Sequence, residues 1–71
     1  MVIKENDLVK WKWGQGEATG KVQSIFHEKI TRVIDGSEVT RNGSKEDPAL
    51  YIAVKDGNNV LKLASEVAKV G

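Results

Sequence analysis

The chain contains no cysteine. A disulfide and a thiolate zinc site are both excluded, so the core must hold without covalent or metal reinforcement. The single histidine, His27, leaves metal binding to carboxylates or to a partner. No apolar run approaches the roughly 18–20 residues that a membrane helix needs. The opening residues, MVIKEND, lack the long apolar stretch of a signal peptide. The expectation is a cytoplasmic protein without membrane association. Absent cysteine agrees with a reducing compartment. Charge of one sign is not in excess either. Eleven basic residues face ten acidic ones, for a net charge of +1, and both halves of the chain are balanced. A nucleic-acid binder usually carries a basic surplus, because phosphate neutralisation supplies most of its affinity. Internal repeats and low-complexity segments are absent.

The 71 residues provide for one domain, residues 1–71. A chain of this length buries only about 60% of its unfolded surface. With 39% hydrophobic residues, a small β-barrel uses the apolar content economically.

The stretch VKWKWGQGEATGKV, Val9 to Val22, carries the clearest pattern. Val9, Trp11 and Trp13 alternate with Lys10 and Lys12, which predicts a half-buried strand over Leu8–Trp13. Gly14-Gln15-Gly16 is a loop. Thr19–Phe26 is the second strand. Gly20 inside it predicts a bulge or a barrel corner. Val22 and Ile25 have opposite parity, and a bulge near Gln23 or Ser24 reconciles them.

ITRVI-DG-SEVTR predicts a hairpin turning at Asp35 and Gly36. One face then carries Ile30, Arg32, Ile34, Val39 and Arg41. The other carries Thr31, Val33, Glu38 and Thr40. Neither face is cleanly apolar, so the expectation is an extended, partly exposed arm. Asn42–Pro48 is a loop, and Pro48 suits the entry into a strand over Leu50–Lys55. Asp56–Asn59 is a second turn, Val60–Leu63 a further strand, and Ala64–Val67 one turn of helix. Ala68–Val70 closes the chain. Five or so short strands with one helical turn near the C-terminus predict an all-β, SH3-like barrel.

Three blocks carry a resemblance: VKWKWGQGEATGKV, ITRVIDGSEVTRNGSKEDPAL and KDGNNVLKLASEV. They cover residues 9 to 67 and resemble the hypervirulence-associated Tudor-like domain of bacteria and fungi, earlier known only as a domain of unknown function. The resemblance implies a Tudor-like, SH3-like barrel with no cofactor and no known catalysis. Tudor relatives proper often hold methylated lysine or arginine in an aromatic cage. The full cage pattern is missing here, and that activity does not carry over. Trp13 stands where the family pattern leads one to expect a polar residue, so any role it has is particular to this protein.

No hydrolytic or transfer chemistry stands out. His27 has no nucleophile and carboxylate in a recognised arrangement and reads as a solvent-exposed structural residue. Glu46-Asp47 is too small a ligand set for a cation, and GQGEATG lacks the lysine-serine ending of a phosphate loop. Trp11 is expected in the core, Trp13 at the surface, and Tyr51 pointing outwards, opposite to Leu50, Ile52 and Val54. Exposed aromatics anchor partners or stack on bases. Lys10, Lys12, Lys21 and Lys62 lie on strands near one another in the expected sheet order, and with Trp13 they could form a basic-aromatic face. Ser65 is expected to cap the helical turn or bond the loop carrying Asp47. Trp11, Gly20, Val22, Gly36, Pro48 and Ser65 are thus given structural work. The leading expectation is a non-enzymatic module that binds a protein or peptide. Binding of RNA or single-stranded DNA is the second. A structural role, with the hairpin arm pairing edge to edge in a weak homo-oligomer, is the third.

Overall fold

The computed structural model describes residues 3–54, 57 and 59–70. In chain order the elements are β1 (Leu8–Trp13), β2 (Gly16–Phe26), β3 (Lys29–Ile34), β4 (Ser37–Asn42), β5 (Ala49–Val54), β6 (Val60–Leu63), a 3-10 turn (Ala64–Glu66) and β7 (Ala68–Lys69). Five strands form one antiparallel sheet in the order β6-β5-β2-β1-β7, and β3 and β4 form a separate ribbon. The larger sheet curls into half a barrel, as expected of a small all-β barrel. Part of the turn expected at Asp56–Asn59 lies outside the described residues.

The register of β1 on β2 sets large residues against small ones. Trp13 is paired with Gly16, Trp11 with Ala18, and Val9 with Gly20. Val9, Trp11, Val22, Leu50 and Ile52 make the buried cluster, and Ile25, Val54 and Val60 pack against it. A methyl group on Gly20 would run into Ile52 Cγ2 and would lie 2.8 Å from the Ala53 carbonyl oxygen. Gly20 therefore marks a close approach of β5 and the Trp11 ring to the β2 backbone. The irregularity comes three residues later, at Gln23. Val22 pairs with Ile52 and Ser24 with Tyr51, which leaves Gln23 as the extra residue of a bulge. The bulge resets the parity, so Val22 and Ile25 both serve the core.

The β3–β4 hairpin has the expected register, from Ile34 opposite Ser37 to Lys29 opposite Asn42. Asp35 and Gly36 both have left-handed backbone, at φ of 52° and 79°, as a two-residue turn matched to strand twist requires. Ile30, Ile34, Val39 and Arg41 are half-buried, whereas Thr31, Val33, Glu38 and Thr40 on the other face are exposed. The arginines on the packed face have partners. Arg32 lies 5.1 Å from the centre of the Phe26 ring, and Arg41 Nε donates to Glu66 Oε1 at 3.1 Å. These contacts explain how two charges occur on the face turned towards the barrel.

Side chains also tie the connections. The Asp47 carboxylate accepts the Ser65 backbone N–H at 2.8 Å and its hydroxyl at 2.7 Å, joining the loop before β5 to the 3-10 turn. Pro48 precedes β5, and its carbonyl accepts the Ala64 N–H at 2.8 Å. Gly43, just after β4, lies against backbone: an added Cβ would be 2.8 Å from the Glu28 oxygen and 2.9 Å from the Ala49 nitrogen. At the start of the chain, Asp7 accepts the Lys4 N–H at 2.8 Å and the Lys69 ammonium at 3.4 Å. Its carboxyl is held below the ordinary aspartate value, chiefly by the Lys4 N–H, which outweighs the opposing effect of desolvation, with the Lys69 charge adding to the lowering.

Candidate apolar docking recess at Trp13

Trp11 and Trp13 share a face of β1 but not an environment. Trp11 is 6% exposed and fills the barrel, whereas Trp13, at the strand's end, is 73% exposed. Its cross-strand neighbour Gly16 offers no side chain to cover it. The large exposed ring borders a recess of about 180 Å³. Trp11 and Trp13 form one side, Ile34 and Val39 of the hairpin a second, and Val60 and Leu61 of β6 a third. Arg41 and Lys62 are the charged groups at its lining. Small-molecule pockets typically span about 300–1,000 Å³. A recess of this size suits one side chain of a larger partner.

Four elements, β1, β3, β4 and β6, converge here although the sheet order separates β6 from β1 by two strands. The curl of the sheet brings them together, and the hairpin supplies the third wall. Alternation on β1 could place Trp13 on the inward side, but it could not show which distant residues would meet it.

The remaining candidate residues fall in other places. Lys10 is paired with Thr19, Lys12 with Glu17, and Lys21 with Leu8. The pleat therefore puts these three lysines on the outer face of β1–β2, opposite to Trp13. Lys62 pairs with Leu50 on the inner side, at the recess. The basic-aromatic face expected from the strand order is thus divided in two. Tyr51 does lie on the face opposite to Leu50 and Ile52, but it is not fully exposed there. Tyr51 is half-buried, its hydroxyl accepts a hydrogen bond from Asn59 Nδ2 at 2.9 Å, and Val33, Ile34 and Asp35 adjoin it. Tyr51 and the hairpin tip thus border one recess, a juxtaposition that residue parity could not reveal. Ile34 stands between Tyr51 and the Trp13 recess, bordering both.

A wider cleft of about 780 Å³ is lined by Ile3, Lys4, Glu5, His27, Lys45 and Pro48 among others. It mixes both signs of charge. Among the described residues, no three histidine or carboxylate side chains are grouped to hold a metal ion, and no helix is long and apolar enough to cross a membrane.

Residues 7–67 match the family described as the TUDOR domain of hypervirulence associated proteins. The chain belongs to this family. The match spans every strand from β1 to β6 and the 3-10 turn, and it assigns the curled sheet with its appended hairpin to the Tudor-like fold. No curated protein and no solved structure matches the chain. Membership agrees with a small binding module. A Tudor-like fold does not by itself identify a ligand.

Proposed function

We propose that this Tudor-like domain is a non-enzymatic module that docks a protein or peptide through the recess bordered by Trp13. The observation that carries the reading is a tryptophan 73% exposed at an apolar recess sized for one side chain. Buried aromatic anchors dominate the energetics of protein interfaces, and an aromatic already held beside a pocket costs little to immobilise. The test is amide chemical-shift mapping with randomised peptide pools. Shifts should cluster at Trp13, Ile34, Val39 and Val60, and Trp13→Ala should remove them. Shifts confined to other surfaces, or none with any pool, would overturn the proposal.

Lys10, Lys12 and Lys21 on one outer face favour a second reading, binding of RNA or single-stranded DNA. Glu17, opposite Lys12, interrupts the basic surface. Titration with single-stranded oligonucleotides at about 50 mM salt, where counterion release favours binding, decides the matter. Undetectable binding there eliminates this reading.

A further inference from the structure

The charged groups at the Trp13 recess are both cations, and both retain donor capacity. Arg41 gives its Nε to Glu66 and its Nη1 to the Thr40 carbonyl at 3.0 Å. Its Nη2 has no hydrogen-bond partner among the described residues. Lys62 is half-buried and makes no ion pair among the described residues. Its aliphatic stem can cover apolar surface while the ammonium stays in water. The walls between these groups and Trp13 are aliphatic: Ile34, Val39, Val60 and Leu61.

We infer that the recess selects a peptide, turned rather than extended at this point, in which an aliphatic or aromatic residue stands next to an acidic one. The apolar side chain fills the recess against Trp13, and the neighbouring carboxylate meets Lys62 and the Nη2 edge of Arg41. This rests on the docking role proposed above and adds the chemistry of the partner. A nucleobase fits less well. The recess offers donors at Arg41 and Lys62 but no acceptor side chain for a base's N–H groups, and three of the lysines suited to a phosphate backbone lie on the outer face, away from Trp13.

Three peptide pools separate the outcomes. Each has a fixed central Phe-Glu, Phe-Gln or Phe-Lys pair and randomised flanks. The readout is the concentration at which the amide resonances of Trp13, Val39 and Lys62 shift. The Phe-Glu pool should bind about three- to fivefold more tightly than the Phe-Gln pool, the scale of a solvent-exposed ion pair. The Phe-Lys pool should be weakest. Lys62→Gln should reduce the preference, and Lys62→Glu should invert it in favour of Phe-Lys. Equal binding of all pools by the unaltered domain overturns the inference and leaves the docking role standing. No binding by any pool overturns both. A single-stranded oligonucleotide that displaces the Phe-Glu pool from Trp13 at lower concentration also overturns the inference.

Discussion

A single oxygen of Glu66, Oε1, accepts both the Arg41 Nε at 3.1 Å and the Leu63 backbone N–H at 2.8 Å. Arg41 belongs to the hairpin, and Glu66 closes the 3-10 turn. One carboxylate therefore fastens the arm to the end of β6. Both side chains are about one-third exposed, at 32% and 37%, and exposed pairs contribute only about 0–1 kcal/mol. Arg41→Gln should lower global stability by no more than that amount. Its larger effect should be local: faster amide hydrogen exchange at Val39 and Arg41 with little change in Val22 or Ile52.

The two tryptophans should separate cleanly. Trp11→Ala removes the largest side chain of the core and should cost about 3–5 kcal/mol, enough to unfold much of a domain this small. Trp13→Ala should change stability by less than about 0.5 kcal/mol, as exposed substitutions usually do. Denaturant melts of the two variants give the comparison. Acrylamide should quench Trp13 emission in the Trp11→Phe variant far more than Trp11 emission in the Trp13→Phe variant.

Gly20→Ala tests the close approach of β5. The added methyl meets Ile52 and the Ala53 carbonyl, so a cost of about 1–3 kcal/mol is expected, as for overpacking elsewhere. A glycine serving only as a flexible bend would show a smaller loss. Gly43→Ala should be at least as damaging, since its neighbours are backbone atoms that cannot rotate away.

Acid should loosen the join between the two ends of the chain. The Asp7 carboxyl is held below the ordinary aspartate value by the Lys4 N–H first and the Lys69 charge second. Its stabilising contribution is therefore complete above about pH 4, the unfolded value, and is lost as the pH falls through the lower folded value. Thermal melts from neutral pH into this acid range should show a steeper fall for the unaltered domain than for Asp7→Asn.

Asp47 should matter through its paired bonds to Ser65. Asp47→Ala leaves the Ser65 N–H without its acceptor and should cost about 0.5–2 kcal/mol, the range for losing a cap. Ser65→Ala keeps the backbone bond and should cost less. Urea denaturation midpoints rank the two.

The sequence carried the strands well, because their cues are local. Alternation placed β1, the Asp35-Gly36 pair fixed the hairpin register, and the parity clash between Val22 and Ile25 located the bulge. The Asp47–Ser65 contact was also legible, from a serine at a helical turn and an acid in a turn-forming loop. The site was legible only in part. Trp13 could be assigned to the surface from its position at a strand end. Its companions could not be, because the recess depends on the curl of the sheet and on where the hairpin rests. The same long-range packing half-buries Tyr51, and the pleat of β1–β2 turns Lys10, Lys12 and Lys21 away from Trp13. Gly43 gave no local sign of its tight surroundings, since the atoms that crowd it include the Phe26 and Glu28 carbonyls from before the hairpin.

The ribbon of β3 and β4 packs beside β6 without joining its ladder. Its attachment is made of side chains: Arg32 on Phe26, Arg41 on Glu66, and Ile34 and Val39 at the recess. Displacing such a ribbon would leave every rung of the larger sheet intact, so a local opening here would cost less than global unfolding. Since Ile34 and Val39 form one wall of the Trp13 recess, any displacement of the ribbon would change the width of that recess, and a partner seated there would hold the ribbon against β6.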